Sequence, residues 1–318
     1  MYQVDRKRFS WSAIGVITDM AVGNLKLQRG FTLIEAVMVI VITGILAGIV
    51  AIFIKTPVDS YLDSARRAKL TDVADTAERR IARDIHLALP NTVRNPANGS
   101  DQCIEFMPTK IGARYRAAAD AAGSGDILDF TTVDSAFDML WLNSGLPAAE
   151  RIATGDVVVV YNDGSSSGNA YTGANAVAVA GVAEPGGTAN TTAITFVGTA
   201  ASTPFNRKQY PSESPTSRFQ VLPAAEQVVA YGCSGGVLYR YSRKLTAAWS
   251  LPADCAAMTS GAAQAMLAQN VTTCSLHYEP PGSSTGLSRS GLVSISLEMA
   301  QAGESVKLYN QVHVDNTP

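Results

Sequence analysis

From Phe31 to Ile54 the chain runs 24 residues with a single charge, Glu35. An α-helix of that length measures about 36 Å, enough to cross a hydrocarbon core of roughly 30 Å. A cleaved secretory segment would carry a shorter apolar stretch, of about 7 to 15 residues. The run is therefore read as a membrane-spanning helix. Residues 1 to 30 carry five cations (Arg6, Lys7, Arg8, Lys26 and Arg29) against two Asp. The positive-inside rule then puts the N-terminus in the cytoplasm and everything after the span outside it. Residues 1 to 30 themselves read as a basic leader. Met20 would serve equally well as a start, leaving the short leader "MAVGNLKLQRG".

Helical spacing continues past the span. In "VDSYLDSARRAKLTDVADTAERRIARDIHLALP", Leu62, Ala65, Leu70, Val73, Ala77, Ile81, Ile85 and Ala88 form one apolar stripe. The other face is assigned six acids and six bases, with Asp63 to Arg67 and Asp75 to Arg79 at the favourable i,i+4 spacing. A solvated face explains these charges better than a binding site does. Pro57 is expected to kink the helix near the membrane surface, and Pro90 to end it. The sequence thus divides into a leader (1–30), a spanning helix (31–54), its amphipathic continuation (55–89) and a head (90–318).

In the head, short β-rich segments alternate with Gly, Ser, Asn and Pro. Strands are expected at Cys103–Met107, Ile127–Phe130, Asp156–Tyr161, Ala176–Val182, Ala193–Val197, Phe219–Leu222, Gln227–Cys233, Val237–Ser242, Val271–Tyr278, Leu292–Met299 and Val306–Val314. Residues 113–125 read as a loop or short helix, and Gly164 to Gly187 as a mobile hairpin region. The fold class is α+β: a long N-terminal helix, half transmembrane and half amphipathic, packed on an antiparallel β-sheet head.

Composition narrows the function. With 318 residues, 47% of them hydrophobic, the chain can bury a core. Its net charge of −2 hides a basic front and an acidic body, since residues 90 to 318 hold 13 bases against 18 acids. No nucleic-acid footprint results. Cys103, Cys233, Cys255 and Cys274 all follow the span, without CxxC spacing or a nearby His, which suits disulfides in an oxidising compartment. Four cysteines allow three pairings and the sequence does not choose; Cys255 with Cys274 and Cys103 with Cys233 is the pairing carried forward.

No catalytic set emerges. "GSSSG" at Gly164–Gly168 formally satisfies the nucleophile-elbow pattern, but no helix follows, so it reads as a turn. "NDGSSSGN" lacks the terminal bidentate acid of a calcium loop. His86, His277 and His313 read as surface or structural residues. No enzymatic activity, cofactor or metal is expected.

"RGFTLIEA" resembles the class III signal of type IV prepilins and pseudopilins: a basic leader ending in Gly30, then Phe31, then Glu35 as the fifth residue of the mature chain. The resemblance implies that prepilin peptidase cuts between Gly30 and Phe31 and N-methylates Phe31. It also gives Glu35 a partner, because a lone carboxylate in lipid is costly and usually paired; in the family the acid meets the terminal amine of the next subunit. Implied partners are prepilin peptidase, other minor and major pilins and the inner-membrane assembly platform. The implied location is the bacterial inner membrane with a periplasmic head, then a pilus or pseudopilus, at its tip given a mature length of 288 residues. "RRIARDIHLALPNTVR", "CIEFMP" and "GLVSISLEM…GESVKLYNQVHVDNTP" are similar to minor-pilin-like components of mannose-sensitive haemagglutinin pili. Residues 110–220 carry no such resemblance. Minor pseudopilins of the J type and minor pilins of the PilW type are alternatives within the family, and a membrane-anchored periplasmic enzyme or ligand-binding protein is the alternative outside it.

Overall fold

Helix α1 extends from Leu33 to His86, through Pro57, in a computed structural model that describes residues 30–121, 123–184, 190–200, 203–282 and 290–318. The leader's cations, Met20 and residues 185–187 of the Gly/Ser tract lie outside the described residues. Contacts divide the chain into a unit ending at Asp59 and a second from Ser60 to Pro318.

Within the first unit, the described side chains from Phe31 to Val58 are solvent-exposed. The apolar run has the length and composition to cross a membrane. Thr43, its one hydroxyl between Leu33 and Ile54, donates to the carbonyls of Val39 (2.6 Å) and Ile40 (3.1 Å), so the helix supplies the partner that lipid would not.

The second unit begins with the amphipathic half of α1. Its buried stripe is Leu70, Ala74, Ala77, Ile81 and Ile85; the expected Leu62 and Ala65 are exposed. Glu78, assigned from the sequence to the charged face, is instead buried with the stripe, because it lies four residues after Ala74 and three before Ile81. The helix ends at His86, before the expected Leu89. Beyond it Leu89 N–H bonds the Met107 carbonyl (2.8 Å) and Thr109 N–H bonds the Leu87 carbonyl (2.7 Å), so these groups leave the helical ladder for a strand-like pairing.

Three antiparallel sheets follow, where the sequence suggested one. The first has the order β1-β8-β9-β10, from β1 (Cys103–Phe106), β8 (Val228–Ser234), β9 (Val237–Arg243) and β10 (Ala263–Gln269). The second, β11-β12-β13, is a meander of Val271–Glu279, Ser290–Gln301 and Glu304–Asp315. Both contribute to the core under α1: Ile104, Phe106, Val229, Tyr231 and Leu238 from one, Val293, Ile295, Leu297, Met299 and Val312 from the other.

The third sheet has the order β2-β7-β4-β5-β6-β3, from β2 (Ile111–Arg114), β3 (Ala136–Met139), β4 (Val157–Val160), β5 (Ala176–Ala183), β6 (Thr192–Phe196) and β7 (Arg218–Leu222). A bridge between Tyr115 and Met139, with Arg116 N–H to the Asp138 carbonyl and Leu140 N–H to the Arg114 carbonyl, joins its two outer strands. The six strands therefore close into a barrel, which removes an edge that would otherwise invite pairing. Phe137, Phe196, Phe219, Val158, Val177 and Ile194 fill it.

Several expectations are corrected. Ile127–Phe130 is not a strand: Leu128 N–H bonds Arg116, and the Asp129 side chain turns the chain by accepting from Thr131 and Thr132. β2 occupies the start of what read as a loop or short helix. The tract from Gly164 holds a short 3-10 turn, Ala170–Thr172, and the whole of β5 rather than a hairpin. Arg67 bonds Glu304 (2.6 Å), leaving Asp63 to Arg66 (2.7 Å), whereas Asp75–Arg79 forms as expected at 2.7 Å.

The disulfides are Cys103–Cys255 and Cys233–Cys274, not the pairing carried forward. Register explains the difference. Cys103 lies opposite Gly232 across the β1–β8 ladder, so Cys233, one residue on, points to the opposite face. Cys103 faces helix α2 (Cys255–Thr259), whose first turn is capped by Asp254 accepting from Ala257 N–H at 2.8 Å. Cys233 faces β11.

Candidate processing and assembly site

The site lies where extended chain becomes helix. Gly30, Phe31 and Thr32 precede α1, and the Thr32 side chain accepts a hydrogen bond from Glu35 N–H at 3.3 Å. Thr32 is thus the N-cap, with the Thr-x-x-Glu spacing of a capping box. From the sequence, Glu35 is read as a lone acid in an apolar run and, through the resemblance, as an assembly contact, not as part of a helix cap. That reading passes over Thr32, although the four-residue spacing is visible in "TLIE".

Gly30 needs no glycine for the chain's own sake. A Cβ built there would meet nothing within 4 Å, and its φ is outside the left-handed region. Among the described residues, packing gives no reason for a missing side chain at this position. Phe31 is 79% exposed. Glu35 falls in the first turn of α1, where a carboxylate suits the positive end of the helix dipole. The structure therefore brings together Gly30, Phe31 and Glu35 as a contiguous unit: an uncluttered bond, an exposed aromatic residue and an acid one turn on. The cysteines, the other residues singled out, are structural crosslinks in the head.

The segments tested for chemistry assemble nothing comparable. In the "GSSSG" loop, Gly164 N–H bonds the Gly168 carbonyl (3.0 Å), Asp163 accepts from Ser165 N–H (2.9 Å) and Ser165 Oγ accepts from Gly168 N–H (3.0 Å). Ser165 helps to close a turn, and a 3-10 turn follows rather than the α-helix an elbow needs. His86, His277 and His313 are exposed on α1, β11 and β13. Among the described residues there is no group of three or more His, Cys, Asp or Glu placed to hold a metal ion.

Two ionic groups, one built on buried Glu105 and one on half-buried Asp84, position parts of the head. Glu105 of β1, fully buried, accepts from Arg94 (2.7 Å) and Trp249 Nε1 (3.0 Å) on one oxygen and lies 3.3 Å from Arg243 on the other. Arg94 also stacks on the Tyr171 ring, centroid 3.6 Å away, and Arg243 on the Trp249 ring at 4.1 Å. At the end of α1, Asp84 accepts from Tyr231 (2.6 Å) and Arg240 (2.9 Å), and Arg240 reaches on to Glu226 (2.8 Å), which holds the Glu226 carboxyl below its ordinary range. The Asp84 group fastens the amphipathic half of the helix to its sheet, and the Glu105 group ties β1 to β9 and to the segments carrying Arg94, Tyr171 and Trp249.

Residues 25–51 match the family model of the prokaryotic N-terminal methylation motif. The match contains Gly30, Phe31, Thr32 and Glu35, and it supports a type IV pilin-like protein. Such a signal implies processing by prepilin peptidase, membrane association and assembly with other pilins; with the apolar helix, it fits an inner-membrane-anchored pilin. No curated protein and no solved structure matches the chain.

Proposed function

We propose that this chain is a minor pilin-like structural component, cut by prepilin peptidase between Gly30 and Phe31, N-methylated at Phe31 and built into a filament through α1. The observation that carries the reading is the methylation motif over residues 25–51, set at the start of a helix whose second half is roofed by a β-rich head. The glycine that the chain's own packing does not require supports an external reader of that position. No enzymatic activity forms part of the proposal.

Glu35 is assigned to assembly. An acid at the edge of lipid is stabilised by a cation, and cleavage creates one at Phe31, on the same subunit and on its neighbour. Glu35→Ala is expected to leave cleavage intact and to reduce recovery in sheared filaments about tenfold or more, since removing one partner of a buried charge pair commonly costs more than the roughly 1.4 kcal/mol of a tenfold change. Normal filament incorporation would remove this role. Mass spectrometry of the mature N-terminus tests the processing step, with retention of residues 1–30 in assembled protein as the contrary result.

Within the pilin-like class, the segments "RRIARDIHLALPNTVR", "CIEFMP" and the C-terminal strands favour an MshO-like biogenesis component of a mannose-sensitive haemagglutinin pilus, with the head at the tip and facing the periplasm before assembly. The competing member is a J-type minor pseudopilin of a type II secretion system, or a PilW-type minor pilin. Deletion of the gene separates them: lost piliation with intact secretion supports the pilus component, and the reverse supports the pseudopilin.

A further inference from the structure

β13 offers an open edge of a kind found nowhere else among the described strands. Its twelve residues pair with β12 without interruption, it ends its sheet, and it contains no proline. Among the described residues, no backbone group from Glu304 to Asp315 on the side away from β12 has a hydrogen-bond partner. The barrel seam is bridged, and the edge strand β10 is broken by a register shift between Met266 and Ala268. A bulge of that sort spoils an edge for pairing, whereas a long regular edge is a template for another strand.

The amphipathic half of α1 leaves a groove of about 660 Å³ beside this edge, walled by Arg67, Thr71, Asp72, Asp75 and Arg79 with Leu308 at its base. On the face of β13 turned toward the helix, Val312 and Val314 are buried, but Glu304, Val306 and Leu308 are only half covered. A strand added about 4.8 Å beyond β13 would send alternate side chains into that groove and complete the cover.

Charge selects the occupant. Arg67 is engaged by Glu304 and Arg79 by Asp75. Asp72 has no partner among the described residues. Glu78 continues the helix row Thr71–Asp75, and its Oε1 is buried without a hydrogen bond. Burial, and then the Asp75 charge, hold the Glu78 carboxyl up at about 7. The geometry points to β13 as the acceptor edge for one extended strand of a neighbouring subunit, presenting a Lys or Arg between small or apolar residues toward Asp72 and Asp75. A second copy of this chain fits poorly, because the inward face of β13 (Glu304, Val306, Leu308, Asn310, Val312 and Val314) carries no cation to offer. The inference rests on the assembly reading and adds to it a second contact, made by backbone rather than by the apolar helix.

The test uses the full chain in filament-forming cells, with benzoylphenylalanine in place of exposed Tyr309 on the outer face of β13, and in place of exposed Lys244 as a control. Illumination is expected to crosslink position 309, and not 244, to a segment of another subunit with a Lys or Arg within two residues of the crosslink. Asp72→Lys with Asp75→Lys should lower that yield about tenfold, and the milder Asp72→Asn with Asp75→Asn about threefold. No crosslink at 309, a crosslink to a second copy or to a helix, or a yield indifferent to both double variants would overturn the proposal. Cleavage at Gly30 and recovery in filaments are read from the same cells. If both persist while the crosslink result is contrary, the edge proposal falls and the assembly reading stands; if the chain is never cleaved, both fall.

Discussion

Glu105→Ala is expected to destabilise the head by about 3–5 kcal/mol, the usual cost of removing one partner from a buried ionic group. Glu105 is wholly buried and holds Arg94, Arg243 and Trp249 at once. Without it two guanidinium groups, both mostly buried, face each other with no counter-charge. Burial already holds Arg243 below its ordinary range even with Glu105 present. Equilibrium urea unfolding of the full chain in detergent, followed by tryptophan fluorescence, would read the change directly, because Trp249 belongs to the network. Glu105→Gln keeps the shape and part of the hydrogen bonding, and is expected to cost about half as much. A loss below about 1 kcal/mol for the alanine variant would mean that the arginines find other partners.

The second large effect concerns Glu78 and depends on pH. Its folded-state pKa is raised from 4.5 to about 7, first by burial and second by the Asp75 charge. An acid whose folded pKa is raised binds its proton more tightly in the folded chain, so stability falls as pH climbs from the unfolded value toward the folded one. Below about pH 4.5 both states are protonated and there is no penalty; above about pH 7 the penalty is complete. Glu78→Gln is therefore expected to match the parent near pH 4.5 and to exceed it by about 2 kcal/mol at pH 8, allowing for relaxation around the charge. The same unfolding measurement at pH 4.5, 6 and 8 checks it. A difference that is flat with pH would show that Glu78 is already satisfied when ionised.

Where sequence and structure agree, the reason is that one face of an element is buried. β12 and β13 alternate so regularly because a single layer of α1 and sheet core lies on one side of them. The segments missed have other origins. β10 reads Ala-Gln-Ala-Met-Leu-Ala-Gln, a composition suited to a helix, and becomes a strand through pairing with β9. β3 is four residues long and includes Asp138, an acid tolerated because Arg116 binds it at 3.1 Å. Barrel closure depends on Tyr115 meeting Met139, a contact without local signature. Glu78 was misplaced because a charged letter outweighed its position on the helical wheel. At the proposed processing site, the motif residues lie in one unbroken stretch, so the match over residues 25–51 needs no tertiary contact and Gly30, Phe31 and Glu35 can be proposed from sequence alone. The cysteine pairing needed the β1–β8 register, which the chain does not advertise.

The Thr32 cap has an electrostatic consequence. It starts α1 two residues after Phe31, so a free amine created there would add a positive charge to the end of a helix whose own dipole is already positive. Alone, that arrangement would favour fraying of the first turn. Glu35, held in that turn by its own N–H to Thr32, supplies the opposite sign at the point where both positive contributions meet. If the bond before Phe31 is cut as proposed, the acid would keep the new end of the helix wound whether or not a neighbour has arrived, and an incoming subunit would find a rigid terminus rather than a loose one.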